Sequence, residues 1–175
     1  LINPINSDIN VNWLKQTESW KNIVSLSWGY TYDVCMCDAV LAGVDSDGNV
    51  KLACESYGMD FSGLKKFAES LTNVKKFNVS IGFEYITAVA IDYDGNVYIY
   101  NNGKQKTLNG YRDIILCGGN GYDESAYVLV IDKKKNLSVV DSKTVLLEDV
   151  VYLNECFAVV QSGKIYRISN VSNIQ

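Results

Sequence analysis

The sequence predicts an all-β chain in which one small antiparallel sheet is used four to five times. Three observations predict it: short apolar runs alternate with tight turns along the whole chain, the two clearest turns share an Asp-Gly-Asn core with which the others align, and helical spacing is confined to one short stretch. The clearest turns lie in "VDSDGNVKLA" (44–53) and "IDYDGNVYIY" (91–100).

Each element follows from these turns. The residues at the glycine position are Ile9, Gly48, Gly95, Lys135 and Gly163, separated by 39, 47, 40 and 28 residues. Such spacing suits a multi-stranded unit with loops of variable length. Before each later turn comes an Asn or Asp followed by a β-branched residue, at Asn22, Asn73, Asp113 and Asp149, and then a second apolar strand at 39–44, 86–91, 127–131 and 157–160. One unit therefore reads strand, loop, strand, tight turn, strand. The structural turn residues are Asp47, Gly48, Asp94, Gly95 and Gly163, because Asp-Gly accepts the positive φ that a tight hairpin demands. After the second turn Val97 and Ile99 alternate with Tyr98 and Tyr100, so both sheet faces are partly apolar and each needs a neighbour.

The single helical stretch is 62–71, where Leu64, Phe67, Ala68 and Leu71 share a face and Asp60 or Ser62 caps the start. It is a short insert that lengthens the second spacing. The approximate units are 1–19 (partial), 20–60, 72–108, 112–146 and 148–170, together one domain over 1–175. Radial packing of such sheets gives a β-propeller that is small, partial or open; a β-sandwich and a linear solenoid are the alternatives.

The unit resembles the RCC1-like (regulator of chromosome condensation) β-propeller repeat family. Trp20, Ile23 and Gly29 match the opening of a family blade, Asp47, Gly48 and Val50 its hairpin, and Ser56, Tyr57 and Gly58 its closing segment, with Met59 in place of glutamine. The next unit matches at Val74, Gly82, Asp94, Gly95 and Val97 and in "NNGKQ" (101–105). The third replaces Asp-Gly with Lys134-Lys135, and the fourth keeps Val150, Gly163 and Ile165. Two features depart from the family: the chain has no histidine, and its four to five units fall short of the usual seven blades.

The chemistry-bearing residues favour no enzyme. Without histidine there is neither a Ser-His-Asp nor a Cys-His arrangement. The turns lack the sixth-position glycine and twelfth-position glutamate of an EF-hand, so they are read as plain hairpins, and no metal or other cofactor is expected. A glycosidase needs two facing carboxyls, and Asp33, Asp38, Glu84, Asp123, Glu124 and Glu155 fall in expected loops without any sign that two converge. The five cysteines, Cys35, Cys37, Cys54, Cys117 and Cys156, read as buried thiols of a reducing compartment, with a disulfide or zinc as lesser alternatives.

The binding expectation rests on three stretches, "SWGYTYD" (27–33), "SIGFEY" (80–85) and "CGGNGYDESAY" (117–127). Read as loops at one end of the assembly, they bring Trp28, Tyr30, Tyr32, Phe83, Tyr85 and Tyr122 beside Asp33, Glu84, Asp123 and Glu124. Aromatics offer large rigid contact area and acids orient a partner, which suits protein recognition or sugar stacking; the competing account is packing between blades. The resemblance and the lack of a catalytic set together imply a non-catalytic interaction or assembly module, binding a protein or further copies of itself. A carbohydrate-binding module and a structural accessory component of a phage or other large particle (a virion component) are the alternatives. A net charge of −4 with scattered lysines argues against nucleic acid. No apolar run is long enough for a membrane span and no signal peptide is visible in the chain, so the expected location is cytoplasmic or within a protein assembly.

Overall fold

A computed structural model describes residues 12–33, 36–82, 85–117, 126–142, 144–154 and 157–168. The strands form four antiparallel sheets that succeed one another along the chain, and within each the strands pair with their sequence neighbours. Sheet A contains β1 (Ile23–Asp33), β2 (Met36–Asp45) and β3 (Val50–Glu55). Sheet B contains β4 (Val74–Ile81), β5 (Ile86–Asp92), β6 (Val97–Asn101) and β7 (Lys104–Leu108). Sheet C contains β8 (Tyr111–Cys117), β9 (Tyr127–Asp132), β10 (Leu137–Val139) and β11 (Val145–Leu147). Sheet D contains β12 (Val150–Leu153), β13 (Phe157–Val160) and β14 (Ile165–Arg167).

The sheets are copies in register as well as in order. In each, the ladder between the first two strands slips just after the first residue, at Ile23/Ser25, Val74/Lys76, Tyr111/Asp113 and Val150/Tyr152. The residue before each first strand has positive φ: Asn22 at 54°, Asn73 at 58°, Gly110 at 91° and Asp149 at 57°. This corrects the third unit, whose strand begins at Tyr111 after a glycine; Asp113 lies beyond the slip, in the position of Lys76. Glycine performs at 110 what Asn and Asp perform elsewhere, since all three tolerate left-handed backbone.

The helix α1 (Ser62–Ser70) ends one residue short of the expected span, because Leu71 is already extended, at φ −90° and ψ 142°. Phe61 is the N-cap without a side-chain bond, while Asp60 accepts hydrogen bonds from the Ser62 amide and hydroxyl. Leu64 and Phe67 are buried, and Phe67 stacks 5.4 Å from the ring of Tyr100 on β6, so the insert fills the seam between sheets A and B.

The core is a series of seams rather than a single centre. Val40, Ala42 and Val44 of β2 meet Phe77, Val79 and Ile81 of β4; Val89, Ile91 and Val97 of sheet B meet Ile114, Leu116, Val128 and Val130 of sheet C; Ile115, Leu129 and Leu137 of sheet C meet Leu153, Ala158 and Val160 of sheet D. The first strands follow suit, with β1 packed on β4, β4 on β8 and β8 on β12. Ahead of sheet A, the 3-10 helix Asn12–Thr17 lies by β3, where the Gln16 amide donates to the Cys54 carbonyl (3.1 Å) and accepts from the Cys54 N–H (3.3 Å). This covers an otherwise open strand edge.

Candidate functional site: a bare sheet face

The turns show how one sheet holds the next. The carbonyl of Gly48 accepts from the Val74 N–H (3.0 Å), that of Gly95 from Tyr111 (3.1 Å) and that of Lys135 from Val150 (2.9 Å), so each turn bonds the start of the following sheet. Lys135 has φ 70° and occupies the glycine position of the third turn. A Cβ on Gly48 would lie 2.8 Å from Asn73 Cα, and one on Gly95 would lie 2.3 Å from the Tyr111 oxygen. Glycine is thus needed there for close approach as well as for φ. Gly163, at the fourth turn, shares the positive φ of 83°, but a Cβ there would meet nothing within 4 Å.

The first aspartate of three of the turns has a role that the spacing did not reveal. Asp45 Oδ1 accepts from the Asp47 and Asn49 amides, Asp92 Oδ1 from Asp94 and Asn96, and Asp132 Oδ1 from Lys134 and Asn136. The amide side chains of Asn49, Asn96 and Asn136 return to the same carboxylates. The Asn49 backbone bond leads in holding Asp45 below the ordinary carboxylate range, against some burial. Burial pushes Asp92 and Asp132 upward, but the bonds from Asn96, Tyr98 and Asp94 in one case and from Asn136 and Lys134 in the other outweigh it, and both lie low. An Asp four residues before an Asn, at 45/49, 92/96 and 132/136, is the signal that would have found them.

Equivalent positions on the four first strands do not share one environment. Phe77, Ile114 and Leu153 are all 3% exposed or less, and Val79 and Leu116 are similarly buried. Their counterparts on β1, Leu26 and Trp28, are each 63% exposed, and Tyr30, counterpart of the fully buried Ile81, is 40% exposed. The cause is the order of the sheets: among the described residues B, C and D each have a sheet ahead of them, and A has none. Trp20 lies over Gly43 on this face, 3.0 Å from where a Cβ would be, and the stripe along β1 stays open. Trp28 and Tyr30 stack on each other at 5.0 Å and 9°.

The far end mirrors this. Val97 and Leu137 are fully buried by the sheet that follows them, whereas Ile165, at the same place on sheet D, is 69% exposed beside the exposed Tyr152.

The first stretch of the anticipated loop cluster is therefore differently placed. Residues 27–33 belong to β1 and are not a loop, so Trp28 and Tyr30 lie on a sheet face; Tyr32 and Asp33 continue that strand opposite Cys37 and Met36. Tyr85 follows the next connection and lines a cleft of about 690 Å³ with Asp38, Tyr57, Asp60, Tyr100 and Asn102. Phe83, Glu84, Tyr122, Asp123 and Glu124 lie outside the described residues, as do Cys35, Cys156 and Glu155. Asp38 accepts from the amides of Tyr57, Gly58 and Met59 and so pins the end of sheet A. Cys117 is a buried thiol, and burial pushes the half-buried Cys54 thiol up in pKa against the pull of Lys65.

No family model, curated protein or solved structure matches the chain. The repeat is thus known from its own internal copies: four antiparallel sheets of three or four strands, bonded turn to strand.

Proposed function

We propose that the chain is a non-catalytic interaction and assembly module, built as consecutive blades of an open, RCC1-like β-propeller, that binds protein through blade faces left uncovered at its ends. The carrying observation is the exposure of Leu26, Trp28 and Tyr30 where the same positions of later sheets are buried. A contiguous apolar stripe of this kind marks an interaction surface rather than scattered surface hydrophobics. A radial arrangement is supported by the hollow of about 540 Å³ bordered by residues of all four first strands, among them Leu26, Asn78, Asp113 and Leu153. The non-catalytic reading is supported by the carboxylates of Asp38, Asp45, Asp60, Asp92 and Asp132, which serve main-chain N–H groups. A general acid at neutral pH needs a raised pKa, the reverse of what the turns create at Asp45, Asp92 and Asp132.

The test is a photo-crosslinking benzoylphenylalanine placed at Trp28, with the exposed turn residue Tyr93 as control, in cells that make the protein. A discrete adduct from position 28 alone is expected; equal yields from both positions, or none, would sink the proposal. The aromatic cleft of Tyr57, Tyr85 and Tyr100 favours carbohydrate binding as a second reading. Oligosaccharides that fail to perturb wild-type tyrosine fluorescence, or perturb Tyr57→Ala equally, would remove it.

A further inference from the structure

We infer that the partner of the bare β1 face is the bare face of sheet D on a second copy of this chain, in a head-to-tail contact; this rests on the reading of the face as an assembly surface. Among the described residues one interface is repeated three times, A on B, B on C and C on D, and one half of it is left bare on sheet A and the other half on sheet D. At the head, Ile23 occupies the place of Val74, Tyr111 and Val150, whose N–H groups bond the turn of the preceding sheet. At the tail, the Gly163 carbonyl occupies the place of Gly48, Gly95 and Lys135, and among the described residues no N–H group reaches it from a following sheet.

The side chains match in the same sense. Leu26, Trp28 and Tyr30 supply what Phe77, Val79 and Ile81 supply to the seam between A and B; Tyr152, Val159 and Ile165 supply what Lys76, Ile91 and Val97 supply to the seam between B and C. A partner that fits the head must resemble the trailing face of one of these sheets, and the chain's own last sheet is such a face. Within one molecule the two faces do not cover each other, since Leu26, Trp28, Tyr152 and Ile165 are all exposed. A second copy therefore continues the stacking already present. Because head and tail are different surfaces, the contact is heterologous: it forms a ring if the rotation closes and a filament if it does not.

The geometry dictates a complementation experiment. Trp28→Glu blocks the head and Ile165→Glu blocks the tail; both residues are exposed, and far-ultraviolet circular dichroism checks that each variant folds. Size-exclusion chromatography with light scattering should show concentration-dependent assembly for the wild type and monomers for either variant alone. Their mixture, with one good head and one good tail remaining, should give a mass of two chains and stop there. A wild type that stays monomeric, a single variant that still associates, or a mixture that stays monomeric each overturns the inference. Crosslinking separates the two readings: adducts at position 28 with another protein beside a monomeric wild type end the second-copy proposal alone, whereas no adduct ends both.

Discussion

Replacing Gly48 or Gly95 with alanine should destabilise the chain well beyond what the same change does at Gly163. All three have positive φ, and a Cβ in that region costs roughly 1–2 kcal/mol. Only the first two also place the new methyl against main chain of the following sheet, at 2.8 Å and 2.3 Å. Gly163→Ala should therefore lose about the φ cost alone, read as the smallest shift in urea midpoint among the three. The neighbouring aspartates make a second prediction. Asp45, Asp92 and Asp132 are held low, so their contribution is complete above an unfolded pKa of about 3.9 and is lost as pH falls through the folded values. A triple Asp→Asn variant should be less stable than wild type at pH 7, and denaturation midpoints should converge as the solution is acidified below about pH 4. The sequence made the turn legible through Asp-Gly, whose conformational demand is local. It hid the first aspartate, because a carboxylate that closes a turn and one that meets solvent look alike until the amides converge on it.

Among the elements, α1 is the one whose removal opens a seam. Phe67 touches both Phe77 of β4 and Tyr100 of β6, so Phe67→Ala leaves a cavity that the sheets, tied by their turns, do not collapse to fill. A loss of about 3–5 kcal/mol is expected by chemical denaturation, against little change for the exposed Lys66→Ala on the same helix. The helix itself was legible from its 3–4 spacing, since four apolar residues in ten give a face. The second half of the strand β1 was not. Residues 27–33 contain Gly29 between aromatics and read as a loop, yet the glycine is a packing device: a Cβ there would lie 3.1 to 3.2 Å from Ile81 and Val79. What looked like a break in the strand is where β1 packs closely on β4, and that contact depends on a partner some fifty residues away.

At the level of the molecule, a stack of like sheets makes the same sequence position core or surface according to its place in the series. Leu26, Phe77, Ile114 and Leu153 are equivalent residues of similar chemistry, and nothing local distinguishes the first from the rest. Exposure follows instead from the count of neighbours, which is why the bare face was invisible to a reading that weighed each unit alone. The consequence is a sharp asymmetry under mutation. Lysine at Phe77 or Val79 buries a charge in the seam between A and B and should abolish cooperative unfolding or cost more than about 4 kcal/mol. Lysine at Leu26 or Trp28, on the equivalent strand, should change stability by no more than about 0.5 kcal/mol when measured by thermal denaturation in dilute, monomeric protein. Should Leu26→Lys prove as damaging as Phe77→Lys under those conditions, the face is already covered within a single chain, and both the assembly reading and the head-to-tail contact lose their physical basis.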